Sequence, residues 1–167
     1  MDIIFKRRSI RKYDSKPVSE DKIKKILQAG MCAPSAGDER PWHFIVINKR
    51  EVLDKIPSVH PYSNMIKEAP LAILVCGDLS LETHTGYWVL DCSAATENIL
   101  IAATSFDLGS IWLGVYPRED RVNGLKKLLE INDENIIPFS LIPIGYPAEN
   151  KDPKEIYDEQ RVHFNKW

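Results

Sequence analysis

Residues 86–106, GYWVLDCSAATENILIAATSF, decide the fold. They form the longest helical segment in the chain. Tyr87, Leu90, Ala94, Ala95, Ile99, Leu100, Ile101, Ala102 and Ala103 leave it little polar face. A helix apolar nearly all round must be central, or central and shared with a second subunit. Downstream, Gly109 closes a turn, residues 110–116 (SIWLGVY) read as a strand, 120–129 as an amphipathic helix and 139–144 as another strand. Upstream, residues 71–76 are apolar without alternation, the pattern of a strand buried on both faces. Residues 44–47 give a further strand, followed by a short polar helix over 49–56, and Pro57 and Pro61 break the chain. A helix after Pro17 keeps Ile23, Ile26, Leu27 and Gly30 at helical spacing, with Ser19 at its N-cap. Residues 2–12 read as a short N-terminal helix. The sum is an α+β domain with a small sheet of four or five strands.

Composition bounds the function. The 167 residues carry 44% hydrophobic and 28% charged side chains, ordinary values for a globular protein large enough for a real core. No apolar run is long enough to span a bilayer, and the N-terminus lacks the apolar segment of a secretory signal. Cys32, Cys76 and Cys92 are odd in number and widely spaced, which predicts buried reduced thiols in a cytoplasmic protein. No metal site is expected: there is no CxxC or HxxxH, and His43, His60, His84 and His163 are scattered. The last twenty residues are polar and proline-bearing, yet hold Phe164 and Trp167. Aromatics closing a polar tail predict an arm that docks on something.

Five of the first twelve residues are basic, and Arg7, Arg8 and Arg11 flank Ser9, although the whole chain carries a net charge of only -2. On a helix, Arg7 and Arg11 would share a face with Arg8 nearby. Forked guanidiniums and a hydroxyl suit a phosphate. Two readings stay open on this cluster alone: a pocket for a phosphate-bearing small molecule, or a solvated basic face. A nucleic-acid module is disfavoured by the confinement of the charge and by a pI near 6.1. Three further segments bear on the choice. Residues 33–42 (APSAGDERPW) are rich in small and turn-forming residues, which let a ligand approach the backbone. Gly114 interrupts the 110–116 strand, as glycines do where a ligand or another backbone comes close. Residues 144–147 (IGYP) read as a strand end and turn.

In order and spacing, RRSIRKYD, APSAGDERPWHF, GSIWLGVYP, IGYP and the closing RVHFNKW resemble the nitroreductase family of FMN-dependent oxidoreductases over nearly the whole chain. The resemblance implies a single FMN-binding domain over 1–167, with a mainly antiparallel sheet flanked by helices. It also implies a homodimer joined by its long central helices, with two FMN molecules between the subunits. Residues 148–167 would be a domain-swapped arm embracing the partner. Arg7, Ser9 and Arg11 would hold the FMN phosphate and ribityl chain, with a contribution from Arg8. Pro34, Ser35 and Ala36 would come from the partner subunit to the ring system. Leu113 and Gly114 would pass under the isoalloxazine, with a backbone N–H directed at N5. Arg161 would reach the phosphate from the tail and Asn64 the pyrimidine edge.

Two positions depart from the family loop: Asp38 stands where Asn is common, and Arg40 where Gln is. An ionised Asp38 cannot donate a hydrogen bond, so any donor role there is lost or reassigned. Arg40 could pair with Asp38 or Glu39, or present its charge near the substrate entrance. The expected activity is hydride transfer from NAD(P)H through FMN to a small electron-poor acceptor, a nitroaromatic or quinone, by a ping-pong mechanism with no catalytic acid or base. Alternatives are a non-catalytic FMN-storage protein, or dehalogenase-like or flavin-fragmenting chemistry.

Overall fold

Every residue of β2 (Leu71–Asp78) is buried, as the unbroken apolar run predicts. The computed structural model describes residues 2–167. β2 pairs antiparallel with β1 (Trp42–Ile47) on one side and with β5 (Ile136–Gly145) on the other. Two two-residue strands, β3 (Gly109–Ser110) and β4 (Leu113–Gly114), share the outer edge of β5. The five-stranded sheet is antiparallel throughout its named pairings.

Alternation splits β2 between two cores. Leu71, Ile73 and Val75 face Ala95, Ile99, Leu100 and Ala103 of the long helix. Ala72, Leu74 and Cys76 face Leu53, Ile56, Ile66 and Leu125. Four helices supply this cover, α2 (Glu20–Met31), α3 (Arg50–Leu53), α4 (Trp88–Ser105) and α5 (Glu119–Leu128), while the short α1 (Asp2–Lys6) rests on α4. Helix α4 is the 86–106 segment trimmed at its ends, and it packs on α2 and across the sheet. It is not fully covered within one chain, since Leu90 stays 61% and Tyr87 50% exposed. Among the described residues no helix is long and apolar enough to cross a membrane.

Four expectations need correction. The N-terminal helix stops at Lys6, so Arg7–Arg11 is not helical. Ser9 instead bridges Ser110 in parallel, and the Ile10 N–H donates to the Ser110 carbonyl at 3.0 Å. The 110–116 strand is two short pieces. Register places Pro143 of β5 opposite the gap between them, and proline has no N–H to give that edge. Ser19 sits at the N-cap of α2, but its side chain makes no capping bond. Cys76 and Cys92 are buried free thiols, whereas Cys32 is exposed.

Close packing leaves one informative contact at Gly77. A Cβ there would lie 2.4 Å from Cε3 of the buried Trp88 indole. Gly77→Ala should therefore cost about 1–3 kcal/mol and lower Tm measurably in a thermal melt. An unchanged Tm would mean that Trp88 moves aside freely.

Candidate functional site

Residues 8–11 are not helical, and their side chains part to two sides, Arg8 and Ile10 to one and Arg11 to the other. The segment is held from both flanks. On one it meets β3, and on the other residues 146–154 run back along it. Asp14 N–H donates to the Tyr146 carbonyl, Ala148 N–H to Lys12 and Lys154 N–H to Phe5, each at 2.9 Å. Lys151 Nζ reaches the Ser9 carbonyl at 2.5 Å, and the Arg8 guanidinium donates to the Asp152 carbonyl. The Glu149 carboxylate accepts the Arg11 N–H at 2.5 Å and lies 3.4 Å from Lys151 Nζ. Those contacts, the Arg11 N–H first, hold the Glu149 carboxyl below the usual glutamate range.

Each side holds a hollow. Arg8 and Ile10 line one of about 360 Å³, together with Lys6, Asp107 and Lys151. Arg11 lines the other, a cleft of about 430 Å³ shared with His60, Tyr62, Met65, Trp112, Leu113, Gly114 and Arg121. Arg7 sits behind, with Nε 3.4 Å from Glu97 on α4. Arg11, Leu113 and Gly114 are thus brought together, and Arg8 is turned away from them. Asn64 opens the turn Asn64–Lys67 directly before the cleft residue Met65. Arg161 lines neither hollow; its guanidinium is 2.9 Å from Asp158 and largely exposed.

The loop over 33–42 lies elsewhere, against the start of α4. The Ala36 N–H donates to Asp91 Oδ1 at 3.0 Å, and Pro34 and Ser35 do not line the cleft. Arg40 forks onto Asp38, Nε to Oδ1 at 2.7 Å and Nη2 to Oδ2 at 2.9 Å. Of the pairings open to Arg40, this is the one formed. Gly37, Asp38 and Arg40 all have positive φ, a conformation that is strained for the last two. The Glu39 carboxylate helps hold it, accepting the Thr83 hydroxyl and the His84 N–H.

His60, Tyr62, Arg121, Met65 and Trp112 were not legible as site residues. His60 and Arg121 sit in unremarkable sequence, far apart along the chain, and only folding brings both to Gly114. Burial lowers the His60 pKa. Among the described residues, no three His, Cys, Asp or Glu side chains gather as a metal site.

The model of the nitroreductase family matches residues 4–60 and 57–146. The chain belongs to that family. A Methanothermobacter thermautotrophicus protein, named as a candidate NADH dehydrogenase/NAD(P)H nitroreductase, is 58% identical over 167 residues, covering 100% of this chain and 87% of its own. Among solved structures, an FMN-dependent nitroreductase from Clostridium difficile superposes with a TM-score of 0.92 at 31% identity, covering 99% of both chains. A candidate nitroreductase from Desulfovibrio desulfuricans in complex with FMN gives 0.84 at 27% identity, covering 99% of this chain and 95% of that one.

The Glu149 clasp has a pH signature. A depressed carboxyl pKa contributes stability that is complete above the ordinary glutamate value and is lost as pH falls through the lowered one. Glu149→Gln should melt below wild type at neutral pH, with the gap in Tm closing in acid. A gap independent of pH would trace the loss to altered geometry rather than charge.

Proposed function

We propose that this chain is an FMN-dependent oxidoreductase that takes reducing equivalents from NADH or NADPH. It passes them to a small, flat, electron-poor acceptor such as a quinone or nitroaromatic. The cleft that joins Arg11 to Gly114 carries this reading. A Cβ at Gly114 would meet nothing within 4 Å, so open space lies beside that backbone. That open backbone and the Arg11 guanidinium lining the same cleft fit a phosphate-bearing planar cofactor.

FMN, when bound, supplies the hydride acceptor at N5 and holds the electrons between two half-reactions. The residues of the chain bind and orient. Arg11, with Ser9 and Arg7, binds the phosphate and ribityl end. Arg8 braces the segment through Asp152 instead. Leu113 and Gly114 would lie along one ring face, leaving the other to both substrates in turn. Asn64 stands at the pyrimidine end.

The site is completed in this reading by a second copy. Leu90 on α4 and Tyr87 just before it want apolar cover, and Phe164 (83% exposed) and Trp167 (fully exposed) want a surface to dock on. Residues 148–167 would clasp the partner, carrying Arg161 to its phosphate site. The loop bearing Pro34, Ser35, Ala36 and Asp38 would close the partner's cleft. Light scattering giving the mass of one chain for the FMN-loaded protein would overturn this assembly. Three thiols without a disulfide support a reducing compartment, the cytoplasm.

Purified protein should bind about one FMN per chain. A hydrogen bond to a charged group contributes roughly 1.5–3 kcal/mol, so Arg11→Ala should raise the FMN dissociation constant roughly 10- to 150-fold while the melt stays cooperative. Equal affinity would return the arginines to a solvated face.

Steady-state oxidation of NADH or NADPH with an added quinone tests the activity itself. One open ring face cannot stack two flat substrates together, so double-reciprocal lines at fixed acceptor concentrations should be parallel. Intersecting lines would reject alternating use of one face. Failure of both nicotinamides to bleach the flavin would leave a storage protein.

A further inference from the structure

β4 is an edge strand two residues long. Among the described residues it pairs with β5 alone, Leu113 opposite Leu141 and Gly114 opposite Ser140. In an antiparallel pair, successive residues turn their N–H and C=O alternately toward and away from the partner strand. The N–H of Val115, the next residue, points to β5 and donates to the Phe139 carbonyl at 3.1 Å. Gly114 therefore turns its polar groups outward. Its carbonyl accepts two hydrogen bonds, one from His60 Nε2 at 3.0 Å and one from Arg121 Nη1 at 2.7 Å. A carbonyl only accepts, so His60 carries its proton on Nε2.

Both donors are fixed in place. His60 is 1% exposed, and its own carbonyl accepts the Ser63 hydroxyl at 2.7 Å. The Arg121 guanidinium lies 5.3 Å from the centroid of the Tyr62 ring, within range of a cation–π contact. A two-residue strand has little rigidity of its own, and Gly114 adds backbone freedom. Two donors on one carbonyl remove that freedom where the cleft needs a fixed backbone.

The consequence concerns polarity. A free Gly114 carbonyl on that edge would direct a lone pair at the same region as its N–H, and flavin N5 is itself an acceptor. We infer that His60 and Arg121 are positioning residues. By holding the Gly114 carbonyl between them, they leave the Gly114 N–H, and not the carbonyl, turned to the flavin. This rests on the FMN-dependent reading above, but the clamp itself is a property of the flavin-free chain.

The experiment separates the two. Arg121→Met keeps the length of the side chain and removes its donors; Arg121→Lys and His60→Gln each keep a donor. In the flavin-free protein, the Val115 amide, which donates to the Phe139 carbonyl across the strand pair, should exchange about tenfold faster in Arg121→Met than in wild type, with the donor-keeping variants close to wild type. In the FMN-loaded protein, sulfite addition at N5 should weaken about tenfold in Arg121→Met, at an unchanged ratio of flavin to chain, because N5 loses a fixed donor. Wild-type exchange together with wild-type sulfite affinity in Arg121→Met would overturn the clamp. A wild-type chain that takes up no FMN would overturn the function instead, while the exchange rates would still decide the clamp.

Discussion

The eight residues of β2 are all buried, so apolar cover has to come from two sides. Each face of the strand presents its own set of aliphatic side chains, and each set found a different partner. Helix α4 covers one face; α3, α5 and the turns near Ile56 and Ile66 cover the other. Fully burying a side chain of this size is worth roughly 1.5–3 kcal/mol, so neither face can be left to water. Each face draws its cover from both before and after β2 in the chain: α2 and α4 on one side, α3 and α5 on the other.

Two-sided cover also fixes where function can sit. The middle of the sheet is closed, which leaves its edges, and the cleft that holds Arg11 lies at the outer edge of β5. There Pro143 breaks the pairing, and two short strands replace one long one. Such an edge leaves backbone groups without ladder partners. The fold uses three devices on them: Ser9 and Ile10 cover Ser110, His60 and Arg121 take the Gly114 carbonyl, and the cleft lies beside what remains. The N-terminal arginines reach this edge because their segment is itself pinned between β3 and residues 146–154.

The departures at Asp38 and Arg40 close on each other. A forked ion pair between two exposed side chains adds little to stability, and it occupies the two groups that differ from the usual family loop. Two non-glycine residues at positive φ are held in a loop anchored to Asp91 and by Glu39. What the loop presents outward is therefore set by the backbone as much as by the changed side chains.

The sequence by itself determined the class of fold, the doubly buried strand, the apolar helix and the family, because periodicity and ordered motifs are local and survive in one dimension. It also marked Arg11, Leu113 and Gly114, which do meet. It misjudged the arginine segment, because a run of charged residues has no apolar period to tell helix from extended chain. The returning 146–154 segment and Ser110 hold residues 8–11 out of a helix by hydrogen bonds, and that course sends Arg8 away from Arg11. His60 and Arg121 were invisible for a related reason. Each is ordinary in its own neighbourhood, and their shared hydrogen-bond acceptor exists only once β4 lies on the edge of the folded sheet.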